Sequence, residues 1–500
     1  MLITTIPLNV FKEYDIRGHY PDEINPQFAY LLGFALMEVL PPQNIGSVLI
    51  AHDARKGGPE LAKALYNALK TRVKSEHIQF AGLEHPGLLA IHNIHKNYGL
   101  IIYITASHNP VGFNGFKIYC DSLPIDSETI KLIAYNMKRL ADADFKFLHY
   151  SEEIFEQPPI EEIENSEYIN ALLSEPDYCQ EKYILKIAID GGNGVAGLIA
   201  RELYEKMGHE VLELNCIPDG AFPNHHPDPS VPDNLMQLRK FVVEHGCDIG
   251  LAFDGDADRL GVVDYQGQII GSDRVFIFLI REMMKFYKSY SDYDPAKPVH
   301  IVYDIKSSRH IQREIEVTGA LPHLSKTGHS NMMQKVAQIE GALFGGEYSG
   351  HYYFKKDGLI LNDAVYSGFR ILRFIEEVGP EAFEHLPHDL MVPEIRIPYP
   401  RELVKGLLLH VKDSAQKNLN PISFTEIDGL RIEIEGGFLL MRPSNTEQKL
   451  TIVIEATSEE ELCKLLDFTI AVLEDHKERL KDRAIDLKDL EPTKSKFGPH

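Results

Sequence analysis

The sequence predicts an α/β fold of three similar α/β domains with mixed, mainly parallel sheets, followed by a C-terminal α+β domain. Short apolar runs rich in β-branched residues alternate with amphipathic patterns through the first three-quarters of the chain, which is typical of strands covered by helices on both faces. The last hundred residues instead contain close-set strand patterns and one long helical pattern. The length of 500 residues fits this division, because a domain takes roughly 100–200 residues.

The predicted elements follow in chain order. Apolar runs predict strands at Ser47–Ala51, Gly99–Ile104, Ile184–Ile189, Ile249–Phe253 and His300–Tyr303. Amphipathic spacing predicts helices at Pro59–Lys70, Ala196–Lys206 and Asp233–His245. The terminal domain is expected to contain strands at Leu430–Glu435, Gly437–Arg442 and Leu450–Glu455, and a helix at Ser458–Asp475.

Three breaks divide the chain. Ser151–Glu164 is acidic and contains proline, as linkers often do, and further breaks are expected near Gly271–Asp273 and His385–Pro393. The predicted domains are therefore residues 1–153, 154–272, 273–386 and 387–500. The charged tail after about Lys477 is expected to be loosely ordered. The three α/β segments are similar in size, although the sequence shows no internal repeat.

The composition and charge of the chain exclude several classes of protein. The formal net charge of −23 argues against binding to nucleic acid or to an anionic membrane surface, since both carry negative potential. The five cysteines lack metal-site spacing and predict buried thiols in a reducing compartment. The first residues show no signal-peptide pattern, and no run approaches the roughly 20 apolar residues of a membrane helix. The protein is expected to be cytoplasmic.

An Asp-Gly-Asp-Ala-Asp-Arg motif at Asp254–Arg259 directly follows a predicted strand. Alternate carboxylates on a tight loop converge on one point and suit a hard cation such as Mg²⁺. The segment is not an EF-hand. Counted from Asp254, the sixth position of the calcium loop would need glycine but is Arg259, and the twelfth would need glutamate but is Tyr265. An acidic surface turn is the alternative, but clustered carboxylates without a counter-ion are costly. The motif predicts a metal site formed by Asp254, Asp256 and Asp258.

A second motif, Thr-Ala-Ser-His-Asn-Pro, follows the predicted strand Gly99–Ile104. Loops at the carboxyl ends of parallel strands are where α/β proteins place their chemistry. Ser107 beside His108 could be a nucleophile, although the glycines of a nucleophile elbow are missing, and a plain turn or N-cap serine is the alternative. The glycine-containing loop that follows ends at Lys117, which could contact phosphate or move a proton, or could be an ordinary surface lysine.

Two further loops carry polar groups. Gly345–His351 offers a carboxylate, a hydroxyl and an imidazole, which suit the hydroxyls of a polyol. Arg442–Glu447 offers a guanidinium, two hydroxyls, an amide and turn N–H groups, which could hold a phosphate. Glycine-rich or hairpin turns without a ligand are the alternatives for both.

A competing pattern, Gly-x-Gly-x-x-Gly, runs from Gly192 to Gly197 after a predicted strand. Glu213 lies where a ribose-binding acid would stand, so the second hypothesis is an NAD-dependent oxidoreductase. Such glycines also serve any tight strand-to-helix turn. The dinucleotide hypothesis leaves the aspartate motif and the other three loops without a role.

The four motifs at Ser107, Asp254–Arg259, Glu347 and Arg442 together resemble the signature loops of the α-D-phosphohexomutases, in that family's order and one per domain. Glu13–Gly18, which reads Glu-Tyr-Asp-Ile-Arg-Gly, is similar to the phosphomannomutase/phosphoglucomutase branch. The resemblance covers the chain except the tail and implies four domains around a central cleft. It also implies a phosphoserine, one Mg²⁺, and interconversion of hexose 1-phosphate and hexose 6-phosphate through a 1,6-bisphosphate.

The resemblance implies roles for individual residues at the reacting phosphate. Ser107 would carry the phosphoryl group and, together with the three aspartates, bind Mg²⁺. Arg259 and Lys117 would neutralise charge. Three residues are candidates for moving protons: Lys117, His108 and His329. The sequence gives no order of preference among them. Ala106 and Ala257 stand where glycine is also familiar in the family, and both changes are expected to be harmless.

Other residues would bind the rest of the substrate. Glu347 and Ser349 would contact sugar hydroxyls. The expected clamp for the phosphate that is not reacting consists of Arg442, Ser444, Asn445 and Thr446. Further substrate contacts are expected from Tyr14, Arg17 and Lys306.

A third hypothesis is a non-catalytic phosphosugar sensor, which loss of Ser107 or of a metal-binding aspartate would have supported; neither is lost. The expected partners are phosphosugars, and the chain is expected to be a monomer or a weak homo-oligomer. The preference between glucose and mannose stays open.

Overall fold

Four units follow one another along the chain, each built around one β-sheet. A computed structural model describes residues 6–142, 155–176, 183–289, 294–392, 394–444 and 448–480. The first three sheets are mixed, and the last is antiparallel.

The first unit has a six-stranded sheet. Its strands are β1 (Ile16–His19), β2 (Val48–His52), β3 (Ile78–Leu83), β4 (Leu100–Ile104), β5 (Phe113–Cys120) and β6 (Leu123–Pro124). Its helices are α1 (Pro26–Val39), α2 (Gly58–Leu69), α3 (Pro86–Lys96) and α4 (Ser127–Asp142). The order is β3-β2-β4-β5-β1, and β6 pairs with β5. Every residue of β2 and β4 is buried, which explains why both read as unbroken apolar runs.

The second unit has five strands. They are β7 (Lys186–Asp190), β8 (Glu210–Leu214), β9 (Ile249–Phe253), β10 (Leu260–Asp264) and β11 (Ile269–Ile270). The helices are α5 (Asn165–Leu173), α6 (Ala200–Lys206) and α7 (Met236–His245). The predicted helices here are each divided: 3-10 turns at Val195–Leu198 and Pro232–Leu235 precede α6 and α7. Ile199 separates the first pair because its backbone leaves the helical region, with φ of −138°.

The third unit also has five strands. They are β12 (His300–Asp304), β13 (Leu321–Ser325), β14 (Ala342–Gly346), β15 (Tyr352–Lys356) and β16 (Leu359–Asn362). The helices are α8 (Ser272–Ser289), α9 (Arg309–Val317), α10 (His329–Gln338) and α11 (Ala364–Val378). Asp363 starts α11 as its N-cap, because its side chain accepts a hydrogen bond from the N–H of Tyr366.

The fourth unit is the α+β domain predicted for the end of the chain. Its strands are β17 (Leu390–Met391), β18 (Ile395–Pro398), β19 (Ser423–Thr425), β20 (Leu430–Ile434), β21 (Gly437–Pro443) and β22 (Lys449–Ala456). Its helices are α12 (Arg401–Asn418) and α13 (Glu459–Leu480). The last helix extends five residues beyond the predicted end at Asp475.

The three mixed sheets share one strand order. The corresponding runs are β3-β2-β4-β5, β8-β7-β9-β10 and β13-β12-β14-β15. In each run the first three strands are parallel and the fourth is antiparallel. The prediction of mixed sheets is confirmed, but parallel pairing is limited to three strands per sheet because a direct turn, not a helical crossover, follows the third strand. This common topology is the internal repeat that the sequence does not show.

The apolar cores show how the units are joined. The largest core runs through the second and third units and includes Leu88 and Ile91 of α3 from the first. The rest of the first unit and the fourth unit have cores of their own. The fourth unit meets the third where Ile305 packs against Phe438 and Leu440. Part of the predicted linker follows the edge of β3, since Phe80 N–H donates to Pro159 O at 2.8 Å.

Two predictions from composition concern the helices and the cysteines. Within the described ranges, no helix is long and apolar enough to cross a membrane. Cys120, Cys216 and Cys247 are free thiols; Cys247 is buried as predicted, whereas Cys120 and Cys216 are half-buried. Cys179 and the tail after residue 480 lie outside the described residues.

Candidate active site

Three polar loops begin at equivalent places in the three mixed sheets. The strands β4, β9 and β14 occupy the same position in the shared order, and each leads into one of the predicted motifs. Because the carboxyl ends of parallel strands collect the functional loops of an α/β sheet, the repeat supplies three loops of similar origin. Hydrogen bonds join them: Ser107 reaches the aspartate loop, and Leu260 N–H donates to Gly350 O at 3.1 Å.

The aspartate loop forms a compact carboxylate cluster. Asp254, Asp256 and Asp258 are buried, and one oxygen of each lies within 4.8 Å of the others. The N–H groups of Asp258 and Arg259 donate to Asp254 Oδ1 at 2.9 and 3.1 Å, which closes the loop. Burial, followed by the charges of Asp258 and Asp256, raises the pKa of Asp254 well above its ordinary value.

The cluster fits a divalent cation. Asp256 Oδ1 is buried and accepts no hydrogen bond from the residues that the structure describes. A buried carboxylate oxygen without a donor is unfavourable, and an all-oxygen donor set is the kind that Mg²⁺ prefers. Ala257, at the centre of the loop, has φ of 57°. That left-handed region favours glycine, so the alanine adds local strain to the loop.

Ser107 lies against this cluster. Its hydroxyl donates to Asp254 Oδ2 at 3.1 Å, and His108 Nδ1 is also 3.1 Å from Ser107 Oγ. Arg259 can only donate, and its Nη2 is 3.3 Å from His108 Nε2, so neutral His108 carries its proton on Nδ1 and donates it to Ser107. Burial, followed by the charge of Arg259, holds the pKa of His108 well below its ordinary value. The serine hydroxyl is therefore oriented from both sides.

Two arginines hold the serine loop in place. Arg17 donates from Nη1 to Asn109 Oδ1 at 2.9 Å and to Ala106 O at 3.3 Å. Arg55 donates to Ser107 O at 2.5 Å. Arg17 thus supports the loop by contacts that the sequence analysis did not foresee, and its predicted contact with substrate stays a prediction.

Asp53 and Arg55 are site residues that the sequence analysis missed. Asp53 Oδ2 accepts from Thr105 Oγ1 at 2.6 Å and lies 3.4 Å from Arg55 Nε. Burial, opposed by Arg55, raises the pKa of Asp53 to about 6. A signal was available, because both charged residues directly follow the buried strand β2, which is the parallel neighbour of β4.

Lys117 projects from β5 into the carboxylate cluster. Its Nζ lies 2.6 Å from both Asp256 Oδ2 and Asp258 Oδ2. Burial lowers the pKa of this ammonium, but the two carboxylates outweigh burial and raise its pKa well above the ordinary value. The lysine is therefore a buried positive charge of the site and not a surface residue.

Arg259 and His351 connect the aspartate loop to the predicted sugar loop. Arg259 Nη1 lies 3.3 Å from Asp228 Oδ1, a partner that the sequence analysis missed. His351 Nε2 lies 3.1 Å from Asp258 Oδ1, and its Nδ1 lies 2.8 Å from Ser349 Oγ. Burial lowers the pKa of His351, but Asp258 outweighs burial and raises that pKa.

Glu347 is buried at the junction between the sugar loop and a neighbouring loop. Its Oε1 accepts from Gly328 N–H at 2.5 Å and from Thr327 Oγ1 at 3.1 Å, while Tyr353 OH donates to Oε2 at 2.5 Å. Burial raises the pKa of Glu347, but the hydrogen bond from His351 and those of its other donors outweigh burial and lower it to about 2. The carboxylate stays ionised and fixes the loop that leads to His329.

His329 is the first residue of α10 and is 7% exposed. Burial, followed by the charge of Lys117, lowers the pKa of His329 to about 4, so the imidazole is neutral at pH 7. Tyr14 donates from its OH to Thr327 O at 3.1 Å. Tyr14 also packs on Gly328, where φ is 111° and an added Cβ would lie 2.4 Å from Tyr14 Cζ. Tyr14 and His329 are therefore neighbours.

Of the four residues of the predicted phosphate clamp, Arg442 and Ser444 lie within the described ranges. Arg442 is 5% exposed and pairs with Asp428 through Nε at 3.1 Å and Nη2 at 3.3 Å. Asp428, which the sequence analysis missed, also accepts from Thr327 N–H at 3.3 Å. Ser444 donates from its N–H to Lys449 O at 2.8 Å. Asn445 and Thr446 lie outside the described residues.

Lys306 lies at the boundary of the third and fourth units. Its Nζ is 3.2 Å from Glu394 Oε2 and 5.4 Å from the ring centroid of Tyr348, which precedes Ser349. The lysine is 8% exposed. It therefore lies beside the predicted sugar loop, and its contact with substrate stays a prediction.

The glycines of the competing dinucleotide motif have another role. A Cβ on Gly194 would lie 2.6 Å from Gly255 O, and one on Gly197 would lie 1.8 Å from Cys216 O. Val195 N–H donates to Gly255 O at 3.2 Å. Glu213 pairs with Arg201 at 2.6 Å. The glycines thus let this turn pack against the backbone of the aspartate loop, and nothing in the geometry supports a dinucleotide site.

Comparison with known families gives one consistent result. Models described as phosphoglucomutase/phosphomannomutase, alpha/beta/alpha domains I, II and III, match residues 8–144, 166–267 and 272–391. The model of the C-terminal domain of the same family matches residues 394–472.

Individual relatives agree with the family models. The chain is 33% identical over 475 residues to a phosphoglucomutase of Neisseria meningitidis, covering 94% of this chain and 98% of the relative. It is 33% identical over 461 residues to a phosphomannomutase/phosphoglucomutase of Pseudomonas aeruginosa, covering 92% and 94%. A crystal structure of a phosphoglucomutase/phosphomannomutase family protein from Burkholderia thailandensis matches with a TM-score of 0.80 and 31% identity, over 95% of this chain and 98% of that one.

Proposed function

The chain belongs to the phosphoglucomutase/phosphomannomutase family, and from this premise we propose that it is a phosphosugar mutase. It interconverts hexose 1-phosphate and hexose 6-phosphate, with glucose or mannose as the sugar. The phosphoryl group is carried by Ser107, and a hexose 1,6-bisphosphate is the intermediate and activator.

The observation that carries this proposal is the position of Ser107. Its Oγ is buried, lies 3.1 Å from Asp254 Oδ2 and is oriented by His108. Lys117 supplies positive charge to the aspartate cluster that Ser107 contacts, and Arg259 supplies it beside His108. Phosphoryl transfer depends mainly on positioning and on neutralising the charge of the phosphoryl oxygens, and these groups provide both.

Each half-reaction moves one phosphoryl group. The bond between phosphorus and Ser107 Oγ breaks, a bond from phosphorus to a sugar hydroxyl oxygen forms, and the hydroxyl proton passes to a base. After the bisphosphate turns round, its other phosphate returns to Ser107 by the reverse steps. Neutral His329 is the proposed proton acceptor, and Lys117 is the proposed charge neutraliser, because its ammonium is held by two carboxylates.

Magnesium fits the carboxylate cluster described above. Asp254, Asp256, Asp258 and an oxygen on Ser107 would hold it. When bound, Mg²⁺ would neutralise charge on the reacting phosphate. The unpartnered Asp256 Oδ1 is the observation that supports the fit.

The remaining substrate contacts are proposed from the positions of the loops. Glu347 and Ser349 bind sugar hydroxyls, and Tyr14, Arg17 and Lys306 complete the sugar site. Arg442 and Ser444, with Asn445 and Thr446, hold the phosphate that is not reacting.

Four domains with boundaries near residues 153, 272 and 386 each contribute one loop. We also propose that the protein is cytoplasmic.

The test combines activity with phosphate mapping. Glucose 1-phosphate, mannose 1-phosphate and glucosamine 1-phosphate are assayed side by side with Mg²⁺ and glucose 1,6-bisphosphate. The purified protein is examined by intact-mass analysis and peptide mapping. Conversion of at least one hexose phosphate and a single phosphate on Ser107 are expected. No conversion of any of them, or a phosphate mapped to another residue, would contradict the proposal.

A further inference from the structure

A cavity of about 670 Å³ lies between the first and fourth units. Its walls come from the N-terminal segment around Lys12 and Glu13, from α4, and from Arg401 and Gln448 of the fourth unit. This volume is within the range of roughly 300–1,000 Å³ found for small-ligand pockets. The cavity is therefore large enough for a phosphorylated sugar.

The charge of the cavity is opposite to that of the whole chain. Lys12, Lys131, Lys138 and Arg401 line it, together with one acid, Glu13. In a protein with a net charge of −23, such a local excess of cations concentrates an anion that the rest of the surface repels.

The cations differ in how far their charge is already compensated. Lys131 pairs with Glu128 at 2.7 Å, and Lys12 donates to the uncharged Asn9 O at 2.7 Å. Lys138 and Arg401 form no ion pair with any residue in the described ranges. Arg401 is also the first residue of α12, where the helix dipole adds partial positive charge. Lys138 of the first unit and Arg401 of the fourth thus both line the cavity, and Glu13 is the acid that attracts Arg401.

The cavity borders the proposed distal-phosphate clamp. Gln448, in its wall, directly follows the loop that contains Arg442 and Ser444. Glu13, also in the wall, lies within electrostatic range of Arg442 and Asp428. An anion bound in the cavity would therefore lie between the first and fourth units and next to the clamp.

The uncharged part of the wall suits a sugar ring. Leu8 and Tyr135 line the cavity and are 54% and 66% exposed. Aromatic and aliphatic surface beside cationic groups is the combination that binds a ring bearing phosphates.

We infer that this cavity, the vestibule, is a second and weaker binding site for the phosphosugar, used by the bisphosphate when it leaves the clamp to turn round. The inference rests on the proposed function for its ligand. Lys138 and Arg401 bind a phosphate of the sugar, and Lys12 adds positive charge. By holding the intermediate near Arg442, the vestibule limits its loss to solvent.

The test counts binding sites for glucose 1,6-bisphosphate by equilibrium dialysis at low ionic strength. Wild-type protein is expected to bind one molecule tightly and a second weakly. The double variant Lys138→Gln, Arg401→Gln should lose the second molecule, with affinity reduced at least tenfold. Arg442→Ala should weaken the tight site and keep the weak one. Lys240→Gln combined with Lys417→Gln removes the same charge far from the vestibule, Lys417 lying at the other end of α12 from Arg401, and should bind like wild type.

Two results would overturn the inference. One is an unchanged second site in Lys138→Gln, Arg401→Gln, and the other is an equal loss in the Lys240, Lys417 control, which would show only a long-range charge effect. Activity gives a separate readout: the vestibule variant should need about tenfold more added bisphosphate for half-maximal rate, at a maximal rate within twofold of wild type. Absence of mutase activity in wild type would contradict the proposed function, while the dialysis would still decide on the vestibule.

Discussion

At the scale of single residues, the candidate site contains strained backbone in both the serine loop and the aspartate loop. Ser107 has φ of 51° and Ala257 has φ of 57°, although neither is a glycine. Left-handed backbone costs roughly 1–2 kcal/mol for a residue with a Cβ, and such strain persists only where the surroundings impose it. Here Arg55 holds the carbonyl of Ser107, and Asp254 holds the N–H groups after Ala257. The same hydrogen bonds therefore fix the strained backbone of both loops.

The carboxylate cluster gives the first prediction. Asp256→Asn should lower mutase activity at least about 100-fold, since even residues that only support a metal ligand contribute roughly 10- to 100-fold. The fold should survive, because the amide has nearly the same shape. Activity at saturating Mg²⁺ and a thermal melt check both statements. Asp233→Asn, at an exposed aspartate, is the matched control, and near-normal activity of Asp256→Asn would contradict the metal site.

His329 gives a prediction about pH. Its folded pKa of about 4 lies below the ordinary histidine value of about 6.5. Between these values the unfolded chain binds the proton and the folded chain does not, so stability falls as pH falls from about 6.5 to about 4. From pH 7 to pH 5 this one group should cost about 1–2 kcal/mol. His329→Gln should remove that part of the loss.

The measurement for His329 is the urea midpoint at pH 7 and pH 5. The difference between the two midpoints should be smaller in His329→Gln than in wild type. An exposed histidine, His77, provides the control substitution, which should leave the difference unchanged. Equal differences in wild type and His329→Gln would show that the imidazole is not held neutral by its surroundings.

At the scale of elements, the position of each loop follows from the strand before it. β4, β9 and β14 stand at the same place in three equivalent sheets, so their loops leave the sheets at equivalent points. Glycines then set the distances between the loops. Gly350 approaches Leu260 O, and Gly194 approaches the backbone of the aspartate loop.

Gly194→Ala tests this packing. The added Cβ would lie 2.6 Å from Gly255 O and 2.9 Å from Asp254 O, both backbone atoms, so the aspartate loop would have to move. Stability should fall by about 1–3 kcal/mol, and activity should fall at least tenfold. Gly271→Ala, where a Cβ would meet no atom within 4 Å, is the control. Full activity of Gly194→Ala would show that the loop tolerates displacement.

The elements also show what sequence could and could not predict. The strands before the motifs were predictable, because a fully buried parallel strand such as β9 reads as an apolar run. The position of Ser107 and of the aspartates in loops at the carboxyl ends of such strands was predictable, because each motif directly follows an apolar run; their roles stay a prediction. Asp428 was not, since its partner Arg442 lies on the neighbouring strand of a hairpin and its contact with Thr327 crosses between two units. The common strand order was hidden, because pairing direction leaves little trace in composition.

At the scale of the whole molecule, buried charge joins the second and third units. Arg370 is fully buried and donates from Nη1 to Glu175 Oε2 at 2.6 Å and from Nε to Glu282 Oε2 at 3.0 Å. Glu175 belongs to the second unit, and the other two residues belong to helices of the third. The guanidinium also lies 3.7 Å from the ring centroid of Phe286. This arrangement continues the apolar core shared by the two units.

Arg370→Met should destabilise the protein by about 3–5 kcal/mol, because it removes the buried cation that Glu282 and Glu175 share. Lys356, at 2.8 Å, still pairs with Glu175 in the variant. Thermal melting and urea unfolding measure the change. Arg201→Ala removes an arginine that is 51% exposed and pairs with Glu205 and Glu213. It should cost much less than Arg370→Met, because exposed ion pairs contribute little to stability. Similar losses in the two variants would mean that burial adds nothing to the Arg370 network.

The threefold strand order has a consequence for the history of the chain. Repeats with one topology are what tandem duplication of a single ancestral unit leaves behind. The three units share one strand scaffold and differ in the loop after β4, β9 or β14, which carries Ser107, the aspartate cluster or Glu347. A substitution confined to one of these loops therefore leaves the strand scaffold of all three units intact, while its effect passes to the other loops through the hydrogen bonds that join them.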